Sequence, residues 1–129
     1  MRWAVLTVSP LLALASPIGI AQTAAADDAV LERGRQIFEQ RCVECHGAEG
    51  RGDGIKAPFL SPRPGNLVSA AVSAKSDRDL LKVIANGRTR TAMPAWKDQL
   101  SEEDQLAVLR YIRSLIRFSR PLTPPPPGP

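Results

Sequence analysis

Both cysteines and the single histidine of this 129-residue chain lie within five consecutive positions: Cys42, Val43, Glu44, Cys45 and His46. That crowding limits what can hold the chain together. No disulfide framework exists beyond one Cys42–Cys45 link. A structural zinc site takes about four protein ligands, and no other cysteine or histidine can complete one within the chain. A large apolar core is equally hard to build. Aromatic residues make up 5% of the chain, and one of them, Trp3, lies near the N-terminus. A domain of about a hundred residues is marginal on burial alone. A bound group that acts as core would supply what the side chains lack.

The pattern C-V-E-C-H is a Cys-x-x-Cys-His sequence, the signature of covalent c-type haem attachment. Two thiols separated by two residues reach the two vinyl groups on one edge of the macrocycle. A histidine directly after the second cysteine is then carried beneath the iron as its proximal ligand. A thioredoxin-type thiol pair reads differently, because it follows a strand and opens a helix. Here the pair closes a helical segment, and no strand pattern is present. The expected cofactor is therefore one haem c, bound through Cys42 and Cys45, with His46 on the iron.

With His46 used, no second histidine exists for the opposite side of the iron. Methionine is the remaining strong ligand. Of the two methionines, Met1 is lost with any cleaved leader, which leaves Met93, in T-A-M-P-A-W. The rigid Pro94 that follows helps to fix a loop over the distal face. Histidine–methionine ligation raises the reduction potential and saturates the iron, which suits single-electron transfer. The alternative is a five-coordinate iron with Met93 nearby, as a haem peroxidase or ligand-sensing haem protein would need.

Residues 1–26 carry one charge, Arg2, then an apolar run from Trp3 to Ala15, then small residues at Ala21, Ala24, Ala25 and Ala26. This is the layout of a secretory signal peptide, with cleavage after Ala21 or Ala26. Pro10, Pro17, Gly19, Gln22 and Thr23 dilute the stretch against the roughly 20 apolar residues that a spanning helix needs. Membrane attachment is expected only if the leader stays uncleaved. Export places the thiols in the bacterial periplasm, where haem is attached. Loss of Arg2 lowers the net charge from +4 to +3, too little to argue for nucleic-acid binding.

The rest of the chain reads as all-α, with a domain over 27–118. Asp27 or Asp28 is placed to cap a helix to about Arg41, with Val30, Leu31, Ile37 and Phe38 on its apolar face. Gly34 inside it costs about 1 kcal/mol against alanine, which implies a close approach to the backbone. Residues 47–66 are rich in glycine and proline and form a long loop that needs a surface to wrap. Ser76 with Asp79, and Ser101 with Asp104, are capping-box starts for two further helices. Gly87 ends the first of these, and the second runs to about Phe118. On that last helix Leu106, Leu109, Ile112, Leu115 and Ile116 are apolar. Arg110, Arg113, Arg117 and Arg120 read as a solvated face. The segment 119–129 contains six prolines and reads as an extended tail.

On G-R-Q-I-F-E-Q-R-C-V-E-C-H-G, the proline-rich loop, M-P-A-W and Y-I-R-S-L, the chain resembles the class I c-type cytochromes, of the small bacterial single-haem kind. The resemblance covers about residues 28–117. It implies three or four helices around one covalent haem, and electron exchange with a dehydrogenase, a terminal oxidase or another cytochrome. It also implies that Gly34 and Phe38 of the first helix cross Tyr111 of the last. A proline carbonyl is expected to orient the proximal histidine, with Pro58, Pro62 and Pro64 as candidates. Trp96, Arg88 and Arg90 are candidates for contact with the haem propionates. The chain departs from the family in its proline-rich tail and in lacking a ring of lysines around the haem edge.

Overall fold

The computed structural model describes residues 18–119, and these residues are helical without a strand. Leader residues 1–17 and tail residues 120–129 lie outside the described residues. The helices are α1 (Ile18–Arg41), α2 (Val43–His46), α3 (Ala70–Ser73), α4 (Asp77–Asn86) and α5 (Glu102–Ser119), with a 3-10 turn at Ala57–Phe59. Among the described residues, no helix is long and apolar enough to cross a membrane.

The fold is organised by α1 crossing α5. At the crossing, a Cβ built on Gly34 would stand 2.0 Å from the Ala107 carbonyl oxygen and 3.1 Å from the Tyr111 Cβ. Only a residue without a side chain lets the two backbones approach so closely. One turn further along, the Phe38 and Tyr111 rings meet at 5.3 Å between centroids, tilted by 56°. The centroid separation lies within the range of favourable aromatic pairs, and the rings are tilted and not stacked face to face. Phe38 is completely buried, and it forms the core with Ile37, Ile84, Val108, Leu109 and Ile112. The core is small. Cys42, Leu67, Leu80, Trp96 and Leu115 pack against it while half-buried.

Three expectations change. Asp27 and Asp28 lie inside α1 and do not cap it, because the helix begins by Ile18. The run Ala24, Ala25, Ala26 favours helix more than any other residue type and continues the helix upstream. Asp27 instead accepts a hydrogen bond from Arg110 at 3.0 Å. On α5, Leu106 is largely exposed, and Ala107 and Val108 are buried in its place. The close approach at Gly34 rotates α5 so that its small residue faces α1.

Arg113, read as solvated, is the third. Its guanidinium donates to the Ser73 and Lys75 carbonyls at 3.2 and 2.6 Å and to Asp77 at 2.9 Å. The end of α3 and the start of α4 are thereby fastened to α5. The two capping starts form as expected. The Ser76 hydroxyl accepts from the Asp79 amide at 3.1 Å and donates to its carboxylate at 2.7 Å. Ser101 accepts from the Asp104 amide at 3.1 Å.

Gly34→Ala is expected to destabilise the protein by about 2 kcal/mol or more, the range for forcing volume into a packed contact. In an unconstrained helix the same change stabilises. Chemical denaturation of the haem-loaded protein reads the sign directly.

Candidate functional site

Helix α1 delivers the motif, and the chain barely breaks between α1 and α2. The Cys42 amide still donates to the Phe38 carbonyl at 2.9 Å. The amides of Cys45 and His46 then donate to the Cys42 carbonyl at 3.2 and 2.9 Å. The thiols are free and half-buried. Burial, and then the neighbouring Cys45, push the Cys42 thiol up to about 11. A reactive thioredoxin-type cysteine has its thiol moved in the opposite direction. No set of three or more Cys, His, Asp and Glu side chains among the described residues could hold a metal ion. The zinc and thiol-exchange readings therefore find no support in the geometry.

His46 is half-buried, and burial lowers its pKa, opposed by its hydrogen bond to Gly65. Its Nδ1 lies 3.0 Å from the Gly65 carbonyl oxygen. A carbonyl can only accept, so Nδ1 carries the proton and Nε2 keeps a free lone pair. This is the tautomer that an Nε2 ligand needs, held by the kind of contact that orients metal-bound histidines. A neutral, oriented imidazole directly after the second of two half-buried cysteines separated by two residues fits a covalent haem.

The expected proline carbonyl is corrected here: none of Pro58, Pro62 and Pro64 supplies the acceptor. Pro58 lies in the 3-10 turn. The Pro64 carbonyl is directed at Gly52, where a built Cβ would stand 2.5 Å from it. The next carbonyl along, that of Gly65, meets the imidazole. Every residue carries a carbonyl, so sequence identifies the neighbourhood of such a contact and not the residue.

The glycine-rich loop does more than wrap a surface. The carbonyls of Glu44, Cys45 and His46 end α2 and have no intrahelical donors. They accept from the amides of Lys56, Gly54 and Gly52 at 2.8, 3.1 and 2.8 Å. The loop thus runs back along the motif and hydrogen-bonds to its last three residues. Gly54 is needed for this contact, because a Cβ there would stand 2.4 Å from the Glu44 carbonyl oxygen and 2.5 Å from that of Val43. Gly52 also has φ +80°, in the left-handed region. The Leu67 amide closes the loop by donating to the Gly50 carbonyl at 2.7 Å.

Met93 is half-buried in the loop between α4 and α5. Gly87 ends α4 with φ +66°, and a Cβ there would stand 2.6 Å from the Met93 carbonyl oxygen. The same glycine that stops the helix therefore makes room for the Met93–Pro94 segment. Trp96 packs on the core, and its amide donates to the Ile84 and Ala85 carbonyls at 3.2 Å each. The motif and the Met93 loop are thus anchored on the same core. Arg88 and Arg90 are exposed.

An all-helical frame closed by the α1–α5 crossing, with Cys-x-x-Cys-His at the end of α1, defines a class I c-type cytochrome. The chain belongs to the family described as cytochrome c oxidase, cbb3-type, subunit III, whose model matches residues 29–112. It is 31% identical over 94 residues to cytochrome c55X of Paracoccus denitrificans, covering 73% of this chain and 82% of that protein. It is 30% identical over 94 residues to cytochrome c550 of Pseudomonas aeruginosa, covering 70% and 59%. It is 28% identical over 97 residues to the cbb3-type oxidase subunit CcoP of an Azospirillum species, covering 70% of this chain but 30% of that subunit. Among solved structures, a chain of the reducing HAO-like protein complex of Kuenenia stuttgartiensis matches with a TM-score of 0.63 and 26% identity. That match covers 69% of this chain and 44% of the other. The chain therefore spans most of one relative and less than a third of another. It is an electron-transfer protein that carries covalently bound haem c and works with redox protein partners.

Gly54→Ala and Gly65→Ala should separate cleanly. The first drives a methyl group into two carbonyls and should cost about 2 kcal/mol or more, lowering Tm by roughly 10 °C. The second adds a Cβ into open space and keeps the carbonyl on His46. It should leave the spectrum unchanged and raise stability by up to about 1 kcal/mol. Thermal unfolding of the two loaded variants checks both.

Proposed function

We propose that the chain is an exported, mono-haem electron carrier, with its haem joined to Cys42 and Cys45 and its iron held between His46 and Met93. The observation that carries this reading is the His46 imidazole, oriented through Nδ1 by the Gly65 carbonyl at 3.0 Å. One Cys-x-x-Cys-His sequence in the chain supports one haem. Met93 is the remaining strong ligand once a leader carrying Met1 is removed. When bound, the haem supplies a one-electron iron couple. The protein's part is to hold both ligands, exclude water and keep geometry fixed between oxidation states.

Export rests on residues 1–26 as a signal peptide and places the carrier in the periplasm, with residues 27–118 as the cytochrome domain. Cleavage after Ala26 would leave Asp27 and Asp28 in the first turn of α1, where acidic side chains complement the helix dipole. It would also preserve the Asp27–Arg110 ion pair. The relatives named as cbb3-type oxidase subunits support an oxidase among the partners, and cytochromes c55X and c550 support a free carrier. The coverage of cytochrome c55X favours the free carrier.

The purified protein should show a c-type band in its reduced spectrum and one haem per chain by pyridine haemochrome. Met93→Ala should abolish the near-infrared sulfur–iron band of the ferric form, lower the reduction potential and open the iron to carbon monoxide. A wild-type protein that already binds carbon monoxide rapidly, unaffected by Met93→Ala, would instead establish the five-coordinate peroxidase or sensor reading.

A further inference from the structure

The loop that presents Met93 is short of internal support, and one side chain supplies half of the hydrogen bonds within residues 88–93. The Thr91 hydroxyl donates to the Arg88 carbonyl at 2.8 Å and accepts from the Met93 amide at 3.2 Å. The Thr91 amide donates to the same Arg88 carbonyl at 3.2 Å, and the Arg88 amide donates to the Met93 carbonyl at 3.3 Å. Residues 88–93 thus close into a ring in which both backbone polar groups of Met93 are used. Among the described residues, Thr91 is the one side chain of this loop that hydrogen-bonds to the loop's own backbone.

The ring has work to do against the chain's preferences. Arg90 sits at φ +60°, a left-handed conformation that costs a non-glycine residue of the order of 1 kcal/mol. That residue turns the chain between the two ends that Thr91 joins. Pro94 restricts the backbone after the ring, and Gly87 lets the chain pass close before it, but neither contributes a hydrogen bond from a side chain.

We infer that Thr91 is a positioning residue for Met93: its hydroxyl ties the Met93 amide to the Arg88 carbonyl, just past the C-terminus of α4, and so sets how often the methionine leaves the iron. This inference deepens the reading of Met93 as the distal ligand and rests on it. A ligand loop that opens admits competitors, and the apparent affinity for a competitor scales with the open fraction. Loss of one ordinary hydrogen bond changes such a fraction by about tenfold.

The test is an imidazole titration of the ferric, haem-loaded protein, read by loss of the near-infrared sulfur–iron band. Thr91→Val keeps the shape and removes the hydroxyl. It should retain the band but lower the apparent Kd for imidazole by about tenfold, and Thr91→Ser should restore the wild-type value. Equal Kd values for wild type and Thr91→Val, with the band present in both, would overturn the role of Thr91 and leave Met93 as ligand. Absence of the band from wild type, or its survival in Met93→Ala, would overturn the ligand reading itself. If Thr91→Val does not take up haem, Thr91→Ala against Thr91→Ser decides. Weakening in Ala alone supports the hydroxyl. Equal weakening in both shows that the methyl group, and packing, matter instead.

Discussion

The backbone contact between Gly34 and Ala107 sets the geometry from which everything else in this molecule hangs. Two helices that touch through side chains run some 8–10 Å apart. Here a glycine lets the main chains meet, and the Phe38–Tyr111 pair then fills the wedge beyond the crossing. Because Cys42 follows α1 without a real break, the angle at Gly34 decides where the thiols and His46 stand relative to α5 and the core. Arg33 and Asp104, paired through two hydrogen bonds of 2.8 and 2.9 Å, flank the same crossing. Being exposed, they contribute orientation more than stability.

The motif is then held from outside. A four-residue helix cannot satisfy its own terminal carbonyls. The loop amides at Gly52, Gly54 and Lys56 do so; Gly54 lets the loop lie close against the motif, and Gly52 leaves room for the Pro64–Gly65 segment. The same loop returns to place the Gly65 carbonyl on the His46 side chain. The tautomer and orientation of His46 therefore follow from a loop pinned to the motif by main-chain hydrogen bonds at Gly52, Gly54 and Lys56 and closed between Leu67 and Gly50.

Much of this was legible in the amino-acid sequence, and what was not follows a pattern. Gly34, Phe38 and Tyr111 announce the crossing, because a helical glycine without a packing reason is a stability loss. Ser76, Ser101 and Gly87 announce helix ends, because capping chemistry is local. The acceptor for His46 was misplaced onto a proline, since a carbonyl leaves no mark in side-chain chemistry. Arg113 reads as solvated because its partners come from residues 72–77, near forty positions away. Asp27 was taken as a cap because the alanine run before it was counted as leader and not as helix. In the sequence the loop glycines mark a long loop that wraps a surface; at Gly52 and Gly54 the structure shows that they also mark close backbone contact. Local rules carried the ends of elements; contacts made by backbone atoms, or across long separations, needed the fold.

In the site as proposed, with His46 and Met93 on the iron, the two sides differ in how they are secured, and the difference bears on function. On the histidine side, the carbonyls of Glu44, Cys45 and His46 are each held by a loop amide, which limits movement between oxidation states. On the methionine side, the ring from Arg88 to Met93 is held by few bonds and contains a residue in a strained conformation. A carrier gains speed when its ligands need no rearrangement, and that argues for rigidity on both sides. The strain at Arg90 is compatible with that demand only if something opposes it, and the Thr91 hydroxyl is the group placed to do so. On the distal side, half of the hydrogen bonds within residues 88–93 run through the Thr91 hydroxyl, whereas on the proximal side main-chain groups of a longer loop hold the motif.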